Sequence, residues 1–466
     1  MAAVLQSAPA PTISHSLARF VAALKPADVP EEVRRRARHL MLDALGCALA
    51  AVPSPFARTA LTGISALSGA GDCTVIGHAE RLPARDAALM NGILAHGLDY
   101  DDTHSAGVIH LTVGILPALL ARAQERNLDD GRAFVTAYVA AMECGARIAS
   151  AAQGGLHQVG FHPTGLVGAF AAALAAGKLD MLSEQALTDA QGIALSVGAG
   201  SLQFLDDGSW TKRMHPGWAA VGGLTAAALA KAGFPAPREA YEGRFGLFAS
   251  HIGPRAPHDP AMVSAGLGRV WETLNVAVKP YPLCHLVHAC TDAAAILSRQ
   301  VRGSEIVRVR ARVPAGVVPV ICEPLEAKRH PVTDYDAKFS LPYCVATALL
   351  RGKLGLAELG DDALADPATR ALMQRVEYQV DDSFEYPRYY GGEVSVTLAD
   401  GRSMTERQAI NRGSAERPLS DAEIVAKFRD NAQAVFSPAQ IDRVQEAMQD
   451  IESGGVAALL KALAPH

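Results

Sequence analysis

The chain has 466 residues, of which 49% are hydrophobic and 20% charged, and its formal net charge at pH 7 is −5. This composition is typical of a folded globular protein, and it excludes a wholly disordered chain and a strongly basic nucleic-acid-binding protein. We find neither a long apolar membrane span nor the basic start and apolar run of a signal peptide, so we expect a cytoplasmic protein with no membrane or nucleic-acid partner.

Apolar residues recur at helical spacing from residue 14 to about residue 250, which predicts a succession of amphipathic and buried helices. An early helix opens at Pro30, where the missing N–H of proline costs no hydrogen bond. The later predicted helices span residues 84–98, 113–125, 131–151, 165–176, 183–197 and 217–232. Because these segments are rich in Ala and Gly, the helices can approach one another closely. We therefore expect a large all-helical domain over residues 1–265.

Beyond residue 265 the hydrophobic pattern changes to the period of two that is typical of half-buried strands. The predicted elements here are strands at 307–313, 376–380 and 394–398 and helices at about 284–300 and 336–352. Asp400-Gly401, directly after the third strand, is a strong hairpin-turn signal. Residues 266–410 are therefore predicted to form a smaller α+β domain.

The C-terminal part returns to helical spacing. Ser420 and Glu423 form a capping box, and Ser437 is positioned to cap a second helix. We expect these helices, residues 411–466, to rejoin the helical domain. The predicted fold class is mainly α, with a large all-helical domain and a smaller α+β domain.

The sequence lacks the common cofactor and metal motifs. Its seven cysteines are scattered without a CxxC pair, which predicts free, buried thiols rather than an iron–sulfur or zinc site. It also has no P-loop, GxSxG, HExxH or strand-linked GxGxxG motif. These absences argue against redox and phosphoryl-transfer chemistry.

Polar segments interrupt the apolar helices, and the first has the sequence DYDDTH at residues 99–104, followed by His110. One interpretation is a solvated loop whose Asp residues cap the next helix. Another is a metal site, because Asp and His are both competent ligands. The pattern alone leaves both open.

The second and third polar segments each precede a helix rich in small residues. His162 lies just before the first of these helices, whose N-terminal amides can hold an anion, although an ordinary loop histidine is the simpler interpretation. Lys212 and Arg213 lie in the segment 209–218 with two tryptophans. Two cations beside a helix N-terminus suit a carboxylate, and a basic surface loop explains them equally well.

The fourth polar segment is KPYP at residues 279–282, followed by Cys284 and His285. Its two prolines stiffen the backbone and would fix Lys279 at a strand end beside a helix. The alternative is a rigid connection whose lysine is only solvated.

These segments together, in this order, resemble the MmgE/PrpD family. The matching residues are 42–47, 91–92, 99–104, 161–164, 211–212 and 279–282. The family includes 2-methylcitrate dehydratase, cis-aconitate decarboxylase and iminodisuccinate epimerase. The resemblance implies an active-site cleft between the helical and α+β domains, a homodimer, and catalysis with no metal and no organic cofactor.

The resemblance also implies roles for single residues. The implied catalytic residues are Asp99, His110, His162, Lys212 and Lys279, and the residues expected to contact the substrate are Thr103, His104, Arg213, Tyr281, Cys284 and His285. The sequence departs from the family pattern at three places. Leu111-Thr112 replaces a frequent Pro-Ser, Cys284 stands where decarboxylases can have His, and residues 317–319 lack a Tyr that decarboxylases place after a second-domain strand.

The implied chemistry begins with a proton on the carbon next to a carboxylate. Lys212 and Lys279, brought together from the two domains, would stabilise the negative charge that develops when this proton leaves. His110 or His162 would move the proton, and Asp99 would orient a histidine or act as the base.

Our hypothesis is a cofactor-independent lyase on a di- or tricarboxylate, with a 2-methylcitrate-like hydro-lyase as the first choice. A dicarboxylate epimerase and a cis-aconitate-type decarboxylase are the enzymatic alternatives. A carboxylate-binding protein without turnover is the alternative from another class.

Overall fold

The structure, a computed structural model, describes residues 11–465 and is mainly α-helical, with a smaller part that combines helices and a sheet. This confirms the predicted fold class. The chain divides into two compact units, of which the second is residues 277–423 and the first is the remainder, before and after it.

The first unit is built almost entirely from helices. Its helices before the second unit are α1 (Ile13–Ala23), α2 (Glu31–Ala51), α3 (Pro55–Ser65), α4 (Ala84–His96), α5 (Thr112–Glu125), α6 (Gly131–Ala151), α7 (Gly155–Gln158), α8 (Pro163–Leu179), α9 (Glu184–Val197) and α10 (Thr211–Lys231). After it come α18 (Asp421–Ala432), in which the boundary falls, α19 (Pro438–Gln449), α20 (Ile451–Gly454) and α21 (Val456–Ala462). The short strands β1 (Cys73–Thr74), β2 (Arg81–Leu82) and β3 (Thr103–His104) lie between helices of this unit, and the other boundary falls within β4 (Val276–Ala277).

Small residues allow two of these helices to touch backbone to backbone. A Cβ atom on Gly92 of α4 would lie 2.4 Å from the Cα of Gly217 in α10, and one on Gly217 would lie 2.2 Å from the carbonyl oxygen of Leu89. Real side chains cannot occupy such positions, so only glycine permits this approach. The contact holds α4 and α10 in a fixed register, and these two helices supply several side chains of the candidate site.

The start of α10 corrects a prediction. The helix begins at Thr211 rather than at Gly217, and Pro216 lies inside it. Lys212 and Arg213 therefore belong to its first turn instead of to a loop. Proline removes one backbone hydrogen bond near the start of the helix, and the helix continues because its Ala- and Gly-rich face packs against α4 and α8.

The second unit contains a four-stranded sheet covered by helices. Its helices are α11 (His288–Leu297), α12 (Val318–Ile321), α13 (Leu325–Lys328), α14 (Asp334–Lys338), α15 (Leu341–Arg351), α16 (Asp361–Leu364) and α17 (Pro367–Met373). Its strands are β5 (Ile306–Val313), β6 (Val376–Val380), β7 (Gly392–Leu398) and β8 (Ser403–Gln408), in the order β6-β5-β7-β8. β5 and β6 run parallel, whereas β7 pairs antiparallel with both β5 and β8. The predicted strands and the turn at Asp400-Gly401 are confirmed.

Three further expectations can be compared with the structure. All seven cysteines are free and buried, as predicted. Ser420 and Glu423 form the expected capping box, and Ser437 caps α19. Within residues 11–465 no single helix passes the length and hydropathy test for a membrane span, although the bent pair α2 and α3 passes it jointly.

Candidate active site

The DYDDTH segment is buried, which excludes its interpretation as a solvated loop. Asp101 is fully buried and Asp99 is 7% exposed. The chain leaves α4 through a turn in which the Asp99 N–H donates to the carbonyl oxygen of His96, and Asp99 itself takes a left-handed conformation with φ of 54°. Such a backbone is strained for a residue with a side chain and is better tolerated by Asp than by most residues. The turn directs the carboxylate of Asp99 towards α10.

Lys212 forms an ion pair with Asp99. The Lys212 Nζ atom donates to Asp99 Oδ2 over 2.9 Å, and both side chains are largely removed from water. A lysine in the first turn of α10 thus meets a carboxylate that follows α4. The structure therefore brings together two of the residues that the resemblance assigned to catalysis.

Asp101 connects two histidines. Its carboxylate lies 3.0 Å from His96 Nδ1 and 3.2 Å from His110 Nδ1. Burial alone would raise the pKa of Asp101, but the two imidazoles hold it well below its usual range. His110 Nδ1 also lies 2.6 Å from the carbonyl oxygen of Asp102, which can only accept. His110 therefore carries its proton on Nδ1, and its Nε2 is the basic atom.

His96, Asp101 and His110 also form the one set of metal-ligand side chains found within residues 11–465, with ligand atoms within 4.8 Å of one another. Nδ1 is the His110 nitrogen that faces Asp101, at 3.2 Å, so a metal held between these two side chains would need its lone pair. Because this nitrogen is a donor to the Asp102 carbonyl oxygen, it offers no lone pair there. We therefore interpret the three residues as a hydrogen-bonded triad.

A second pair of histidines lies beside the triad. His162, the residue that precedes α8, has its Nδ1 2.9 Å from the Nδ1 of His215 in α10. The His162 ring stacks on that of His96 at 5.7 Å, and its centroid lies 6.3 Å from that of His110. Burial, together with the nearby charge of Lys212, lowers the pKa of His162 well below its usual value. Several neutral imidazoles are thus concentrated around one lysine.

The buried histidines predict a specific dependence of stability on pH. Burial lowers the pKa of His157 and His215 to about 4, because an imidazolium there would lose its hydration. The unfolded chain binds these protons with a pKa of about 6.5, so it is favoured as the pH falls from 6.5 to 4. The free energy of unfolding should decrease over this range by up to about 3 kcal/mol for each residue, which denaturant titrations at several pH values would measure.

His215→Asn should flatten this pH dependence, whereas His330→Asn should leave it unchanged because the His330 side chain is 67% exposed. A free energy of unfolding that is constant between pH 6.5 and 4 would contradict the assignment of neutral, buried imidazoles.

Three other predicted residues of this unit have different surroundings. Thr103 is buried, with its hydroxyl 3.4 Å from His110 Nδ1. His104 donates from Nε2 to Glu272 and accepts at Nδ1 from the N–H of Gly107, so both ring nitrogens are occupied within the fold. The Arg213 guanidinium lies 4.3 Å from the centroid of the Phe56 ring, as in a cation–π contact. His104 and Arg213 thus make contacts within the fold itself.

The KPYP segment and the residues after it lie in the second unit. Lys279 is buried. The Tyr281 hydroxyl donates to Asp292 over 2.5 Å, and Cys284 donates its backbone N–H to the carbonyl oxygen of Lys338. His285 accepts at Nε2 from the side-chain amide of Asn411 over 2.9 Å. These bonds fix the segment within its own unit, and the catalytic role of Lys279 stays a prediction.

Sequence reasoning missed a buried anchor of the DYDDTH segment. Lys427 of α18 forms an ion pair with Asp43 of α2 over 2.6 Å, donates to the carbonyl oxygen of Tyr100 over 2.8 Å, and lies 3.8 Å from the centroid of the Tyr100 ring. Burial raises the pKa of Asp43, and the Lys427 charge opposes this shift. No motif marks Lys427, since its partners lie more than 300 residues away. Its role follows only from the folded structure.

His96, Asp101 and His215 were also missed as members of the site. A histidine five residues before Asp101 was a usable signal for His96, because a helix end can bring such residues together. His215 had a weaker signal, three residues after Lys212 on the same helix. The site thus combines the Lys212–Asp99 ion pair, the triad of His96, Asp101 and His110, and the His162–His215 pair. Such groups can stabilise and protonate or deprotonate an anionic molecule.

Two family models match the chain, the MmgE/PrpD N-terminal domain over residues 15–259 and the MmgE/PrpD C-terminal domain over residues 281–453. A cis-aconitate decarboxylase-like protein of Aspergillus oryzae is 28% identical over 99% of this chain and 98% of its own length. Human cis-aconitate decarboxylase is 28% identical over 97% of this chain and 95% of its own length. The mitochondrial 2-methylcitrate dehydratase of Yarrowia lipolytica is 25% identical over 36% of this chain and 34% of its own length.

Proposed function

The chain belongs to the MmgE/PrpD family and is a lyase of that type, and we propose that it acts on a small polycarboxylate through a carbanion next to a carboxylate. The observation that carries this proposal is the Lys212–Asp99 pair beside a cluster of neutral, buried imidazoles. The positive charge of the Lys212 ammonium group, held in place by Asp99, can stabilise negative charge that develops on the substrate in the transition state.

The proposed roles follow from the atoms available. Lys212 stabilises the negative charge on the substrate carboxylate oxygens, and Asp99 holds the ammonium group in position. His110 moves the proton through Nε2, because its Nδ1 proton is held by the Asp102 carbonyl oxygen and Asp101. An imidazole whose second nitrogen is fixed in this way has a defined tautomer and orientation, as general acid–base catalysis requires.

For the overall reaction we propose decarboxylation of a cis-aconitate-like substrate. The bond from one carbon to its carboxylate breaks and CO₂ leaves. The electron pair forms a new double bond, and the former double-bond electrons move to the carbon beside another carboxylate, which then takes a proton. This choice is supported by decarboxylase relatives that align with nearly the whole chain.

Dehydration is the second candidate. Here a proton leaves the carbon next to a carboxylate, the C–H electron pair forms the double bond, and the C–O bond at the following carbon breaks. The leaving hydroxide takes up a proton and departs as water. The sequence at residues 317–319 is Val-Val-Pro, without the tyrosine that the family resemblance led us to expect in a decarboxylase. That difference favours a hydro-lyase.

One experiment separates the candidates. The purified chain is incubated in D₂O with cis-aconitate or with 2-methylcitrate, and product formation is followed by proton NMR together with trapping of CO₂. Decarboxylation predicts one equivalent of CO₂ and one deuterium in each product molecule. Dehydration predicts a new alkene with ultraviolet absorbance and no CO₂.

A broader panel of di- and tricarboxylates tests whether the chain converts a substrate other than these two. Binding to this panel without product and without exchange of hydrogen for deuterium would contradict the proposed lyase chemistry. Such a result would favour a carboxylate-binding protein.

A further inference from the structure

The contact between His162 and His215 joins two nitrogens of the same kind. The two Nδ1 atoms lie 2.9 Å apart, both side chains are buried, and this is the one hydrogen bond that the His162 side chain makes within residues 11–465. In a pair of neutral imidazoles, one Nδ1 must carry a proton and the other must accept it. The pair therefore has two possible proton arrangements, which leave the Nε2 of His162 with or without a proton.

The neighbouring histidines favour one arrangement. The His96 Nδ1–H donates a hydrogen bond to Asp101, and the His110 Nδ1–H donates one to the Asp102 carbonyl oxygen, so both rings carry a lone pair on Nε2. The His96 Nε2 is buried and has no hydrogen-bond partner among the described residues. The His96 and His110 ring centroids lie 5.7 Å and 6.3 Å from that of His162. If His162 also carried a lone pair on Nε2, all three histidines would present lone pairs, which repel one another. A proton on His162 Nε2 avoids this arrangement.

We infer that His215 is a positioning residue that donates from Nδ1 to His162 Nδ1 and thereby keeps His162 in the Nε2–H tautomer. This inference rests on the proposed function for its catalytic meaning. His110 then presents a basic Nε2, while His162 presents an N–H donor to the negative charge that develops on the substrate. A neutral imidazole can act as such a donor without giving up its proton. The inferred role therefore needs no proton transfer between His162 and His215.

The tautomer can be measured without a substrate. The full chain is labelled with ¹⁵N in histidine alone, and the signals of His162 are assigned from a His162→Asn variant. At neutral pH the spectrum should show a directly bonded proton on His162 Nε2 and none on its Nδ1. A ¹⁵N–¹⁵N coupling through the hydrogen bond should connect the two Nδ1 atoms. A proton on His162 Nδ1 in the native chain would overturn the inference.

Substitutions test whether His215 imposes this state. In His215→Asn, the amide nitrogen attached to Cγ can still donate to His162 Nδ1, and the tautomer should remain Nε2–H. In His215→Asp, the carboxylate can only accept, so His162 Nδ1 should gain a proton. An unchanged His162 spectrum in His215→Asp would show that His215 does not control the tautomer.

Turnover supplies the catalytic readout. His215→Leu, which cannot donate, should lower kcat by about 10- to 100-fold with little change in KM, because the donor at His162 is no longer held in position. His215→Asn should recover most of this loss. Equal loss in the Leu and Asn variants would contradict the positioning role. If no polycarboxylate in the panel is converted, the proposed function fails and the NMR measurements still decide the tautomer.

Discussion

Replacement of Lys212 by Met is expected to lower kcat of the proposed polycarboxylate reaction by about 100- to 1,000-fold, measured in steady-state assays at neutral pH. Two effects add. The variant loses the ammonium group that stabilises the developing negative charge, and it removes the cation that lies 2.9 Å from the buried Asp99 carboxylate. The negative charge of Asp99, no longer offset by Lys212, would then repel an anionic substrate.

The same helix offers a matched control for this experiment. Lys231 lies in the last turn of α10, where it pairs with Asp180 and is partly exposed. Lys231→Met should leave turnover essentially unchanged. Adding Asp99→Asn to Lys212→Met should recover part of the lost activity, because it removes the repelling carboxylate. Full activity in Lys212→Met would reject this lysine as the charge-stabilising group.

Replacement of Lys427 by Met is expected to lower the free energy of unfolding by about 3–5 kcal/mol, measured by urea denaturation. The substitution leaves Asp43 buried without the ammonium group 2.6 Å away. Burial raises the pKa of Asp43, and without Lys427 this shift becomes larger. Because the folded variant then binds a proton more readily than the unfolded chain, the loss of stability should be smaller at pH 5 than at pH 8.

Two variants isolate the contribution of the ion pair. Lys461→Met removes an exposed lysine of α21 in the same unit and should have little effect. The double variant with Asp43→Asn and Lys427→Met should be more stable than Lys427→Met alone, since no buried charge is left unpaired. Equal stability of Lys427→Met and Lys461→Met would show that the buried pair does not anchor the fold.

The fold was largely predictable because most of its elements have strong local signals. α6 has the predicted bounds, and β5 alternates buried and more exposed positions over most of its length. The start of α10 was not predictable in the same way. Pro216 is locally unfavourable within a helix, and only the packing of α10 against its neighbours compensates for it.

The candidate site was predictable only where the chemistry is visible in one segment. Asp99, His110, His162 and Lys212 stand in polar segments that interrupt apolar helices, and each was identified. His96 lies on a helix whose composition indicates packing, and His215 shares the polar segment of Lys212 without a motif that marks it. The function of both histidines depends on which atoms meet in space. Lys427 illustrates the limit most clearly, because its partner Asp43 lies far away in the sequence.

The contact of Gly92 with Gly217 limits how this enzyme could be adapted to larger molecules. Since two backbones touch there, the spacing between α4 and α10 does not depend on any side chain that a single substitution could shorten. Widening the region around Lys212 would require moving whole helices apart. Acceptance of bulkier substrates should therefore arise by changes elsewhere, while the spacing of α4 and α10 stays the same.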